Sequence, residues 1–203
     1  MKLIAISWPE MFEGEAQIIN ALFDMGLPVL HLRKPGIPES EVERLIMHIS
    51  PEFYDRLTLH YSPQLAERQE LGGYHLSKGS LAAPDEWEGR LSASCHSIDE
   101  IPAALQTCDY VFLSPIFDSI SKAGYTSNFT TDQIAQARKA GIINRRVIAL
   151  GGVTPEAIPY VEEMGFGGAA VLGGLWGDRD YETVIRNYWQ YISVHTPQMA
   201  VNS

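Results

Sequence analysis

Residues 146–175 read RVIALGGVTPEAIPYVEEMGFGGAAVLGGL, and this stretch decides the fold. Arg146–Leu150 is a short apolar run bounded by the glycine pair Gly151-Gly152, the pattern of a buried strand. Thr154–Met164 reads as a helix. Thr154 is its N-cap, Pro155 takes the first helical position, where a missing N–H is tolerated, and Gly165 stops it. Ala169–Leu172 is a second apolar run, closed by a second glycine pair, Gly173-Gly174. Strand, helix and strand in this order form a crossover unit, the connection that parallel strands require.

Toward the N-terminus the same alternation recurs about every 25 residues. Further strands are expected at Lys2–Ser7, Pro28–Arg33, Leu57–Tyr61, Tyr74–Leu76, Arg90–Cys95 and Asp109–Ser114. Helices are expected at Glu13–Met25, stopped by Gly26, then at Pro38–Ile49, Pro63–Leu71, Ser97–Gln106, Thr131–Ala140 and Tyr181–Ile192. Ser97 and Glu100 have the spacing of a capping box. Ala83–Gly89 is too brief for a helix, so the fourth unit is degenerate. Eight alternating units predict a closed (β/α)8 TIM barrel, one domain over residues 1–203. The rival, an open doubly wound sheet, is weakened because no G-x-G-x-x-G follows the first strand.

The composition agrees with a globular chain: 45% hydrophobic and 20% charged residues. It excludes a disordered or collagen-like protein. No apolar run approaches the ~20 residues that span a bilayer, and the apolar N-terminal stretch is too short for a secretory signal. Cys95 and Cys108 make no disulfide framework, which reads as a cytoplasmic protein with reduced thiols. Fifteen basic against twenty-five acidic residues give a net charge of −10. That excludes a basic footprint for nucleic acid but leaves room for a small anionic ligand at a locally positive site.

In a barrel, function gathers where strands end. Four of the six histidines fall there: His31, His60, His75 and His96, at the ends of strands two to five. His31 and Arg33 share a face of strand two, and both are expected among the substrate contacts. Each histidine alone reads as a hydrogen-bonded structural residue; clustered, they read as a metal site or as proton-transfer groups. No H-x-H or H-E-x-x-H is present, and no acidic ligand stands at a recognisable spacing, so the sequence assigns no metal ligand. After strand six, Ser119, Ser121 and Lys122 make a hydroxyl-rich cationic loop, read either as a surface turn or as a phosphate or diphosphate contact. Gly151, Gly152, Gly173 and Gly174 let backbone N–H groups approach an anion, in the two loops where barrels often bind phosphate; turn geometry alone is the plainer reading. Glu162-Glu163 reads as a solvated face. Tyr188, Trp189 and Tyr191 read as packing of the last helix. Cys95 points away from His96 and is expected between barrel and helices.

These motifs resemble the thiamine phosphate synthase/TenI superfamily over nearly the full length. The matching stretches are His31-Leu-Arg-Lys34, Tyr74-His-Leu-Ser-Lys-Gly-Ser80, Ser94-Cys-His-Ser-Ile-Asp-Glu100, Asp109-Tyr-Val-Phe-Leu-Ser-Pro-Ile-Phe117 and Val147-Ile-Ala-Leu-Gly-Gly-Val-Thr-Pro155. The resemblance implies a barrel that binds a thiazole phosphate, held by phosphate after strands seven and eight, in a family that often forms homodimers. Two activities follow. The synthase couples a pyrimidine diphosphate to the thiazole phosphate with Mg²⁺. The TenI branch, a thiazole tautomerase, moves a proton to aromatise a carboxylated thiazole phosphate and needs no metal. Where the synthase carries an Asn-Asp pair after strand three and an Asp after strand four, this chain has His60-Tyr61 and, by alignment, Ser80. Pro35 replaces a diphosphate-binding Lys, with Lys34 beside it. His96 matches the histidine of the tautomerase, and Arg33 or Lys122 is expected to meet the substrate carboxylate. The sequence reading therefore leads with the tautomerase, His96 as its acid–base group and no cofactor. The Mg²⁺-dependent synthase is the first alternative, and a non-catalytic phosphate-ligand binding protein the second.

Overall fold

Side chains alternate along a strand, so eight short strands present one set of residues to a barrel lumen and another to surrounding helices. In the computed structural model, which describes residues 1–77, 82–117 and 129–194, the strands are β1 (Lys2–Ile6), β2 (Val29–Leu32), β3 (Leu57–His60), β4 (Gly73–His75), β5 (Arg90–Cys95), β6 (Tyr110–Leu113), β7 (Val147–Leu150) and β8 (Gly168–Val171). Each pairs in parallel with the next, and β8 returns to β1, closing the barrel in sequence order. The helices are α1 (Glu15–Asp24), α2 (Glu39–Met47), α3 (Pro63–Arg68), α4 (Ile101–Thr107), α5 (Thr131–Lys139), α6 (Ile158–Glu163), α7 (Gly173–Trp176) and α8 (Tyr181–Ser193).

Two apolar layers result. The larger lies between strands and helices and includes Leu30, Leu32, Leu57, Val111, Ala149 and Val161, all at most 1% exposed. Burial of each large aliphatic side chain contributes about 1.5–3 kcal/mol. The smaller fills the lumen with Ile4, Ile6, Val29, Tyr110, Phe112, Ile148 and Ala170. Cys95 lies in the outer layer as expected, and burial pushes its thiol up to about 11. Tyr188 and Tyr191 are buried, whereas Trp189 is exposed. Glu162 and Glu163 are both on the surface.

Three local expectations change. Ser97 makes no capping bond; the Glu100 carboxylate instead accepts from the His96 backbone N–H at 2.6 Å. Thr154 likewise makes no side-chain cap. Both segments enter through a 3₁₀ turn, Ile98–Glu100 and Pro155–Ala157, whose tighter winding changes where the free N–H groups lie. A complete capping box forms elsewhere, between Thr130 and Gln133 at the start of α5. Finally, Gly173-Gly174 does not stay a loop. It opens α7, anchored by the buried Trp176, whose indole N–H donates to the Ile6 carbonyl at 2.6 Å.

Candidate active site at the mouth of the barrel

Parallel strands end on one rim, so the described strand-end segments that the sequence singles out meet there. On β2 the inward residue is His31, and the next inward position is Arg33. The following Lys34 leaves the rim. Its ammonium is buried, donates to both Glu15 carboxylate oxygens at 2.6 Å, and donates to the Trp8 and Glu10 carbonyls at 2.8 and 2.9 Å. Burial pushes Glu15 up to about 7 and Lys34 down, while each charge pulls the other back. Lys34 therefore ties the β1–α1 loop to β2 and does not stand in for the residue that Pro35 replaces.

β3 and β4 add two inward imidazoles. His60 stacks on His75 with ring centroids 4.2 Å apart. His31 Nδ1 lies 3.0 Å from His60 Nε2, and His31 Nε2 lies 2.6 Å from the Tyr110 hydroxyl. His75 Nδ1 and Nε2 reach the Ser92 and Ser94 hydroxyls at 2.8 and 3.1 Å. One ligand atom from each of His31, His60 and His75 lies within 4.8 Å of the others. Burial holds all three below the ordinary imidazole range, His75 at about 4 with Arg33 adding to the effect. All three are thus neutral at pH 7. Tyr61, just beyond β3, is exposed and has a left-handed backbone at φ +74°. The sequence marked these histidines one by one, but their convergence is set by strand neighbours 29 and 15 positions apart, which no linear motif encodes.

His96, one step past β5, is exposed at the rim. Its Nδ1 faces the Ser114 carbonyl at 3.3 Å and the Ser114 hydroxyl at 3.4 Å. Its backbone is fixed by Glu100. A cavity of about 640 Å³ opens beside it, walled by Ser97, Phe129 and Gln133. Ser114-Pro115 is a cis peptide, after which Ile116 and Phe117 N–H groups donate to the Leu150 and Gly151 carbonyls. That stitches the β6 and β7 loops together. Ser119, Ser121, Lys122 and Ser80 lie outside the described residues.

Gly151 and Gly152 follow β7 with φ of +97° and +64°, conformations that suit glycine. A Cβ on Gly151 would stand 2.9 Å from Pro115. Gly174 has a packing reason of its own: a Cβ there would meet the Tyr191 hydroxyl at 2.4 Å, and that hydroxyl donates to the Val153 carbonyl at 3.0 Å. Gly173 and Gly174 nevertheless open on the same rim as Gly151 and Gly152.

Among the described residues no helix is long and apolar enough to cross a membrane. A solved structure of thiamine phosphate pyrophosphorylase from Bacteroides thetaiotaomicron is 37% identical, covers 96% of this chain and 97% of that one, and superposes with a TM-score of 0.86. Thiamine-phosphate synthase of Photorhabdus laumondii is 27% identical over 175 residues, 80% of this chain and 79% of its own. That of Listeria welshimeri is 32% identical over 100 residues, about half (48%) of each chain. The names of these relatives speak for the coupling activity rather than the proton transfer. The family model described as thiamine monophosphate synthase matches residues 3–175, and with the closed barrel and the strand-end residues above it, the chain belongs to the thiamine phosphate synthase/TenI family.

Proposed function

We propose that this barrel binds a thiazole phosphate and acts on it as a TenI-like tautomerase, moving a proton by means of His96. The observation that carries this reading is the set of groups at the mouth: an exposed imidazole at the end of β5, and His60-Tyr61 where β3 ends. His96 Nδ1–H donating to the Ser114 carbonyl would fix the tautomer and leave Nε2 to take the ring proton and return one to the exocyclic carbon. Gly151, Gly152, Gly173 and Gly174 would hold the phosphate through backbone N–H groups. Arg33 would meet the substrate carboxylate, with Ser119, Ser121 and Lys122 as further contacts.

Mg²⁺ binding tests the second reading, the synthase, which the relatives' names favour. Mg²⁺ takes hard oxygen ligands, usually one or two carboxylates beside substrate phosphates. The described mouth residues after β3 and β4 are His60, Tyr61, His75 and Ser77. Neutral imidazole does not fit that demand, so no step is derived through the ion.

The deciding experiment is aromatisation of the carboxythiazole phosphate tautomer without metal, by wild type and His96→Gln, beside the Mg²⁺-dependent coupling assay on the same preparations. The expected result is metal-free turnover that falls by about 10²–10⁴-fold in His96→Gln. Thiamine phosphate formation at an ordinary enzymatic rate, with no aromatisation, would replace this reading by the synthase. Binding of thiazole phosphate with neither reaction would leave a binding protein.

A further inference from the structure

The proposed proton transfer uses none of the three inward histidines as its acid–base group. We propose that His31, His60 and His75 form a site for one borderline divalent transition metal, with Zn²⁺ the best match, just below the mouth of the barrel.

The donor geometry is close to what such an ion takes. Zn–N bonds of about 2.0–2.1 Å put neighbouring ligand nitrogens of a tetrahedral site about 3.4 Å apart. His31 Nδ1 and His60 Nε2 are 3.0 Å apart, and a His75 nitrogen completes the set within 4.8 Å. The adjustment required is a few tenths of an ångström between the first two, and a tilt of His75 out of its 18° stack on His60 that brings its nitrogen closer by up to about 1.4 Å. The proton between His31 and His60 has to move to the far nitrogen of the ring that carries it, so that both rings bind neutral and no proton is lost; on His31 the Tyr110 oxygen is placed to accept it.

The surroundings match a metal site as well. A ligating histidine usually has its other ring nitrogen held by an oxygen, which fixes the tautomer and ring orientation. His31 has the Tyr110 hydroxyl at 2.6 Å on its far nitrogen. His75 has a serine hydroxyl on each side, so whichever nitrogen ligates, the other keeps a partner. Three neutral nitrogen donors with no carboxylate select Zn²⁺, Cu²⁺ or Ni²⁺ over Mg²⁺ or Ca²⁺. Burial that keeps the rings unprotonated at pH 7 also keeps them competent as ligands. Three protein ligands leave one tetrahedral position for water or a small ligand. His60 and His75 retain 9% and 7% exposure, and Ser94 beside them is open, so that position has access from the mouth. The ion would pin the ends of β2, β3 and β4 together.

The test uses the full-length, untagged, chelator-stripped protein titrated with Co²⁺, followed by Zn²⁺ competition. One equivalent of Co²⁺ is expected to give the intense visible absorption of a tetrahedral site, and one equivalent of Zn²⁺ to abolish it. The band is expected to vanish in His60→Asn and to persist in His48→Gln, whose imidazole is exposed on the outer surface. His75→Gln removes a different ligand of the same set and should abolish the band as well; it serves if His60→Asn does not fold. Absence of the band in wild type, or an unchanged band in either well-folded variant, would overturn the site. None of these readouts depends on which reaction the barrel catalyses.

Discussion

Acid should loosen this barrel from the inside, and His75 contributes a separable part of the effect beside His31 and His60. Burial and Arg33 hold His75 at about 4, against 6.5 for an unperturbed imidazole. The unfolded chain therefore takes up a proton here before the folded one does. Stability from this residue is complete above 6.5 and is lost as the pH falls toward 4. The full gap corresponds to about 3 kcal/mol, of which about 2 kcal/mol is lost between pH 7 and pH 5. The perturbation is His75→Gln, which keeps a hydrogen-bonding amide between Ser92 and Ser94. Glu15, held at about 7 by burial, acts in the opposite sense: its raised value makes folding weaken as pH rises from 4.5 to 7. That effect is common to both proteins and cancels in their difference. Urea unfolding in the presence of a chelator at pH 7 and pH 5 gives the four stabilities required. The variant should be less stable at pH 7, but its stability should decline by about 2 kcal/mol less than that of wild type on going to pH 5. Declines that agree within about 0.5 kcal/mol would refute the claim that a neutral, buried imidazole governs this range.

Three further outcomes follow from the geometry. Glu15→Gln leaves the Lys34 ammonium buried at 1% side-chain exposure without its carboxylate, and should destabilise by about 3–5 kcal/mol in chemical denaturation, with much of that regained in a Glu15→Leu/Lys34→Met double variant. Gly174→Ala puts a Cβ against the Tyr191 hydroxyl and should cost about 1–3 kcal/mol, less when combined with Tyr191→Phe. His96→Gln should leave the urea midpoint unchanged while removing proton-transfer turnover, because His96 is exposed and joins no packed layer.

The barrel was legible because its signals are local. Alternating apolar runs, glycine stops and prolines at helix starts recur along the chain, and the observed strands fall within a residue or so of those expected. The degenerate fourth unit was legible for the same reason: Ala83–Gly89 is too brief for a helix, and none forms there. What escaped is non-local. Ser97 and Glu100 had the letters of a capping box, but a 3₁₀ entry gave Glu100 to the His96 N–H instead. Lys34 beside Arg33 looked available to an anion, and only the packing of α1 against β2 reveals that Glu15 holds it. Three histidines on three strands became one cluster only when the strands were paired in register, His60 opposite His75 and His31 opposite Thr58.

Charge placement joins these observations to the choice between the two reactions. The chain carries a net charge of −10, yet the inward positions from β1 to β8 are aliphatic, aromatic, hydroxyl or imidazole groups with the bases Lys2 and Arg90 at the far end, and hold no carboxylate among the described ones. The acids lie outside, on α1, α2, α6 and the loops. On the proposed reading, a monophosphate entering the mouth would meet neutral imidazoles and Arg33 rather than like charge, with backbone N–H groups and one guanidinium to hold it. A diphosphate brings more negative charge, which a synthase offsets with a carboxylate-bound Mg²⁺ and additional cations. Here β3 supplies His60 and Tyr61, and Lys34 is already committed to Glu15. On the proposed reading, a mouth with no described carboxylate and with Lys34 committed to Glu15 would suit a singly phosphorylated heterocycle and proton transfer at its edge.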